Sequence, residues 1–276
     1  MTIAIGLQYY GGVLVASDNK VVLSDGSVKY AAKLNAFKGK SGIFAIVAST
    51  NDANASKTLE NKIEKFLRNN AVSNREELEH AFATQMSSWY VIAGEKAGIQ
   101  FVLGACLKND GARLYFCEPP NSFVEINDGY VAVGSGASVT DPLHKMLFGF
   151  SDHDSPIVSL RKLSYLMYRA KKDSALCGGR THCALLHPTF DEPRIVNILD
   201  LEAAEKKGPG LDFLLQSAAL FALSSTDKTL KGNGAGLGQM LENLAGLRAV
   251  VFHDNYGDKI TFDGQDDPYT GEQVKE

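Results

Sequence analysis

Apolar residues alternate or run unbroken over residues 2–9 and again over 13–18. Gly11 and Gly12 supply turn chemistry between them, so the chain opens on two antiparallel strands of a hairpin. A polar loop of Ser24, Asp25, Gly26 and Ser27 follows, and residues 33–38 and 42–48 predict a second strand pair turning at Lys38, Gly39, Lys40 and Ser41. The period then becomes helical. Asn51 or Asp52 caps a helix reaching about residue 69, with Ile63, Phe66 and Leu67 on its buried side. Ser73, with Glu76 three residues on, has the pattern of a capping box and starts a second helix to about residue 93. Leu78, Phe82, Met86 and Trp89 or Tyr90 form its apolar stripe. Strands return at 99–107, 112–117, 122–126 and 129–133, bounded by Asn109, Asp110, Gly111 and by Pro119, Pro120, Asn121. Helices over 137–149 and 156–172 and strands over 181–187 and 193–199 complete the series.

Strands and helices therefore come in segregated runs, not in alternation. That order predicts an α+β fold, a four-layer α-β-β-α sandwich of two antiparallel sheets. Beyond residue 205 the pattern changes: Lys206, Lys207, Gly208, Pro209 and Gly210 break the chain before an apolar helix over 211–223. A glycine-rich loop, a short helix near 239–246, a strand-like Ala249–Phe252 and a polar tail follow. The expected division is a domain over 1–204 and a C-terminal extension over 205–276.

Composition narrows the function classes. Hydrophobic residues make up 45% and charged residues 22%, the proportions of a folded globular chain. The net charge of −4 gives no electrostatic reason to expect a nucleic acid partner. The first residues lack a basic n-region, and no apolar run approaches the ~20 residues of a membrane span, so the expectation is a cytoplasmic protein without membrane contact. Cys106, Cys117, Cys177 and Cys183 are irregularly spaced and read as reduced thiols. With His182 and His187 they lack the paired spacings of a zinc module, and no metal site is expected.

The candidate chemistry begins at Thr2. Removal of Met1 would leave a hydroxyl and a free α-amine on one residue. The amine, with a reference pKa of about 7.7–8.0, is suited to take the hydroxyl proton. Asp18 ends the second strand and Lys33 heads the next hairpin, so both approach the start of the first strand if the two hairpins share a sheet. An Asp beside a Lys orients the ammonium, and the ammonium lowers the cost of an alkoxide on Thr2. On the residues alone the plainer reading is the favoured one, with Asp18 a strand-end turn residue and Lys33 a solvated charge.

The segment TIAIGLQYYGGVLVASDNK resembles the opening of proteasome β-subunits and of bacterial HslV-type peptidases, which are N-terminal-nucleophile hydrolases. Asp18 falls sixteen residues after Thr2, as in those families, and Lys33 in AAKLNAF matches the family lysine with one residue deleted between. ASTNDAN, from Ala48 to Asn54, is similar to the family's G-x-x-x-D-A-Q segment. The resemblance makes the Ala48 N–H the oxyanion donor, with Ala where the family has Gly, and puts Ile46 at the base of an apolar specificity pocket. Ser135, in Gly134–Ser135–Gly136, matches the Ser placed beside the terminal amine. AKKDSALCGG matches A-x-x-x-D-x-x-S-G-G, with Asp173 as the family Asp after one extra residue and Cys177 in place of its Ser. Lys20 stands where the family more often has Arg. The match runs from residue 2 to about 199.

The resemblance implies a threonine-type peptidase acting on peptides or unfolded protein without a cofactor. It also implies a homo-oligomer, ring or spiral, and leaves an ATPase unfoldase partner open. Two other readings stand beside it, a small-molecule amidase or acylase of the same fold and a catalytically inactive ring-forming subunit.

Overall fold

The computed structural model describes residues 3–23, 25–49, 53–93, 98–119, 122–148, 154–213 and 215–216. In chain order the elements are β1 (Ile3–Tyr9), β2 (Gly12–Asp18), β3 (Lys20–Val22), β4 (Val28–Tyr30), β5 (Leu34–Lys38), β6 (Gly42–Ser49), α1 (Ala53–Asn69), α2 (Arg75–Ala93), β7 (Gln100–Leu107), β8 (Gly111–Glu118), β9 (Ser122–Glu125), β10 (Tyr130–Gly134), α3 (Ala137–Leu147), α4 (Pro156–Asp173), β11 (Thr181–Leu186), β12 (Arg194–Ile195) and α5 (Ile198–Lys206). One five-stranded sheet has the order β10-β1-β2-β11-β12 and the other β5-β6-β7-β8-β9. Every pairing is antiparallel.

Alternation along the strands produces the four layers. On β1, Ile3, Ile5, Leu7 and Tyr9 face outward into a core shared with α3, α4 and α5, where Phe148, Leu163, Tyr165 and Leu166 are buried. Ala4 faces the opposite way, into the seam where Val13, Val15 and Leu186 of the first sheet meet Ile43, Ala45, Val47 and Leu114 of the second. On the far side of the second sheet, Phe44, Ile46, Phe101 and Tyr115 pack beneath α1 and α2 on Leu59, Ile63, Leu67, Leu78 and Phe82. Each such side chain contributes roughly 1.5–3 kcal/mol on burial. Strands β2 and β6 are buried along their whole length, which is why they read as almost unbroken apolar runs. The sheets approach closely at Gly6, where a Cβ would lie 2.4 Å from Leu114 Cδ1.

Several expected boundaries move. Of the polar loop expected at 24–27, residues 25–27 lie between β3 and β4, which pair from Lys20↔Tyr30 to Val22↔Val28. Ser27 donates through both its N–H and its hydroxyl to Asp25 Oδ1 at the turn. Strands of three residues with an exposed face carry too little alternation to be recognised. Helix α2 is capped one residue later than expected: Asn74 Oδ1 accepts from the Glu77 N–H and the Glu77 carboxylate accepts from the Ser73 N–H. The strand expected over 193–199 is only Arg194–Ile195. Asn197 Oδ1 then accepts from the Leu199 N–H and starts α5.

The boundary expected at 204–205 falls inside α5. The chain continues against the sandwich beyond it: Asp212 is buried and accepts from the Tyr165 and Tyr168 hydroxyls, Arg169 and Lys172, all on α4. The caps at Asn51 and Asp52, the side chains of Trp89 and Tyr90, and the chain from residue 217 lie outside the described residues. No helix among the described residues is long and apolar enough to cross a membrane.

Candidate active site

Asp18 closes β2 in the middle of the first sheet, and the registers Ala4↔Ser17 and Thr181↔Asp18 flank it with Ile3 on one side and β11 on the other. Its carboxylate is fully buried. Oδ1 accepts from the Ile3 N–H at 3.2 Å and from Lys33 Nζ at 2.7 Å, and Oδ2 accepts from the Gly178 N–H at 2.9 Å. Two backbone donors and an ammonium thus offset the cost of burying the charge. Lys33 also donates to the Lys20 carbonyl at 2.5 Å. Burial draws the Lys33 ammonium below its usual range, while Asp18 acts in the opposite sense. The two hairpins do not share a sheet as expected. β1 and β2 lie in one and β5 in the other, so Lys33 meets Asp18 where the second sheet begins opposite the first.

The turn from Ser174 to Arg180 supplies the third side of the cluster. Lys20 Nζ donates to the Ala175 carbonyl at 2.6 Å, and the Arg180 N–H to Asn19 Oδ1 at 2.8 Å. Gly179, at φ +72°, fits where a Cβ would stand 2.1 Å from Asn19 Oδ1. This turn brings Cys177 to Ser135, with Sγ and Oγ 3.6 Å apart. Cys177 is buried, and burial pushes its thiol up, so at neutral pH it is a packing group and not a nucleophile. A Cβ at Gly136 would sit 2.8 Å from Ile3 Cβ and 3.0 Å from Cys177 Sγ, and glycine there lets the turn after β10 close on the first strand.

Asp18, Lys33, Ser135 and Cys177 are therefore gathered around Ile3. Thr2, the residue bonded to Ile3, lies outside the described residues. Three other expected residues are placed differently. Asp173 ends α4 on its exposed side, where its carboxylate accepts from Arg169 Nε at 2.9 Å one helical turn back. It makes no hydrogen bond to the cluster among the described contacts. Ile46 is fully buried in the core beneath α1, because even-numbered side chains of β6 face the helices. The Ala48 N–H is already engaged, donating to Glu60 Oε1 at 3.2 Å.

Glu60, Gly178 and the Lys20 carbonyl were not anticipated as parts of the site. The glycine lies in the matched C-G-G run, so its place was open to inference. Glu60 carries no such signal, being one acidic residue among several on an amphipathic helix. Its side chain is 3% exposed and its one cationic partner, Lys57, is 3.4 Å away and mostly solvated. Burial raises its carboxyl to about 7. No group of three or more His, Cys, Asp or Glu side chains placed to hold a metal occurs among the described residues.

A four-layer sandwich of this order is the proteasome-type fold. The chain belongs to the proteasome subunit family, whose sequence model matches residues 2–155. Its fold is similar to that of an Anbu (Gly-1) mutant from Hyphomicrobium sp. strain MC1, with a TM-score of 0.67 at 15% identity over 79% of this chain and 97% of that one. Anbu, an ancestral beta-subunit, from Yersinia bercovieri gives 0.63 at 13% identity over 77% and 95%. A helical assembly of the Anbu complex from Pseudomonas aeruginosa gives 0.61 at 14% identity over 78% and 96%. No curated protein sequence matches the chain.

Proposed function

We infer that this proteasome-family chain is a threonine-type peptidase whose nucleophile is Thr2 after removal of Met1. The observation that carries the reading is the Asp18–Lys33 pair, buried and held against the N–H of Ile3, the residue that follows Thr2. In the reaction, the Thr2 hydroxyl attacks the peptide carbonyl carbon and its proton passes to the α-amine of the same residue. The tetrahedral intermediate expels the new amine terminus, which takes that proton, and water hydrolyses the remaining ester. Lys33 stabilises the developing alkoxide and Asp18 fixes the ammonium. Ser135, which the sequence resemblance puts beside the terminal amine, is assigned to support it. No cofactor enters these steps.

The Anbu neighbour from Pseudomonas aeruginosa forms a helical assembly. That likeness supports a homo-oligomer, ring or spiral, for this chain; as substrate we propose peptides or unfolded protein, and as compartment the cytoplasm, both from the sequence reading. Intact mass before and after treatment with a peptide epoxyketone tests the chemistry. The expected result is a mature protein lacking Met1 that gains one inhibitor mass, and retention of Met1 in an active preparation overturns it. Light scattering on the full-length chain tests assembly, and a monomer overturns that part.

One observation favours a second reading, a subunit that assembles without catalysis: the Ala48 N–H expected to bind an oxyanion is held by Glu60. Absence of any adduct in a well-assembled preparation would select it.

A further inference from the structure

Successive residues of a strand direct their backbone groups to opposite edges. The Gly39 N–H donates to the Gly42 carbonyl, so even-numbered residues of β6 direct theirs toward β5. The pairing of β5 with β6 stops at Leu34↔Val47. Ala48 is the next even-numbered residue, and its N–H consequently looks off an edge that β5 has vacated, beside Lys33, the residue preceding Leu34. This is where a substrate carbonyl approaching the Asp18–Lys33 cluster would find a donor. Glu60 reaches this edge from α1 and takes the donor for itself.

That placement is expensive for a mere tie between helix and sheet. A glutamine would accept from the same N–H without burying a charge. The charged groups acting on Glu60 are Lys57 and Glu64 of its own helix; β5 offers Asn35, which donates to Glu64, and Lys33 is committed to Asp18 and the Lys20 carbonyl. Among the described residues the carboxylate thus has one backbone donor and one distant ammonium.

We propose that Glu60 is a proton-operated occupant of the oxyanion site: its carboxylate withholds the Ala48 N–H, and protonation releases that donor to the substrate. This rests on the peptidase reading above. An ionised Glu60 holds the donor strongly and repels the oxyanion beside it, whereas a neutral carboxyl or amide is a weaker, uncharged acceptor that an oxyanion displaces from the N–H. With burial holding the carboxyl near 7, the closed form gains as pH rises through neutrality. The α-amine of Thr2 works in the opposite direction, since it accepts a proton only when neutral. The two requirements confine turnover to a narrow bell around neutral pH.

The test compares full-length wild type with E60Q and K57A across pH 5.5–9.5 in two reactions. A peptide vinyl sulfone adds to the Thr2 oxygen with charge on the sulfone-stabilised carbon, so it reports the nucleophile without an oxyanion at Ala48. Hydrolysis of a fluorogenic peptide requires the oxyanion. The expected outcome is equal vinyl sulfone labelling of all three proteins at their optimum, with the alkaline limb of kcat/KM lost in E60Q. The gain of E60Q over wild type at pH 8.5 should be on the order of ten-fold or more. Loss of Lys57 should move the descending limb to higher pH, because its charge holds the Glu60 carboxyl down. Equal labelling with superimposable pH profiles overturns the role of Glu60 and leaves the peptidase reading standing. Labelling of none of the three overturns the peptidase reading, and the gate falls with it.

Discussion

Two buried carboxylates, one on the first sheet and one on the helix over the second, are treated differently by the chain. Asp18, on the first sheet, accepts from two backbone N–H groups and from an ammonium at 2.7 Å. Glu60, on the helix covering the second sheet, has one backbone donor and a lysine 3.4 Å away. Both are almost without exposure. The difference teaches that burial does not set a carboxylate's behaviour; the number and charge of its donors do. Asp18 with Lys33 is an anchored pair around which a site can be built, while burial raises the Glu60 carboxyl to about 7.

The largest break in that contrast should come from Asp18→Ala. It removes the carboxylate that accepts from the Lys33 ammonium and from the N–H groups of Ile3 and Gly178. The expected loss is about 3–5 kcal/mol in chemical denaturation, together with loss of Thr2 labelling. Lys33→Ala should be gentler on the fold, because Asp18 retains two donors. Turnover should fall by about 10²–10³ through loss of the stabilising charge. Unchanged turnover in that variant would reduce Lys33 to a structural partner.

Glu60→Gln sharpens the comparison through stability. A carboxyl raised in the fold from 4.5 to about 7 favours folding fully below its unfolded value, and that contribution is lost as pH rises through 7. Wild type should therefore lose up to about 3 kcal/mol relative to E60Q between pH 4 and pH 8. Thermal unfolding at the two pH values measures it, and a pH-independent difference would mean that Glu60 does not titrate in this range. The smallest effect belongs to Asp173→Asn. Its exposed ion pair with Arg169 is worth about 0.2–1 kcal/mol, and hydrolysis should be unaffected. A large fall in activity there would return Asp173 to the site.

The layer order and the apolar faces were legible along the chain, because burial on one side of a strand or helix writes its period into the sequence. So was the Asp18–Lys33 pair, since it lies in a segment whose spacing matches a known family. The hairpin of β3 and β4 was not, as it buries too little to leave a period. Nor was the start of α5, where the Asn197 cap overrides a run of residues that also suits a strand.

By itself the sequence determined what local chemistry determines: strand and helix periods and the turns at glycine. Tertiary structure decided what depends on register and on which faces meet. It brought Lys33 to Asp18 from a different sheet, turned Asp173 along its helix toward Arg169, and sank Ile46 beneath α1. It also put Glu60 on the Ala48 N–H, twelve positions away in the chain. A helix-borne carboxylate looks the same in sequence whether it meets water or a backbone donor, and only the packing of α1 on the edge of β6 separates the two.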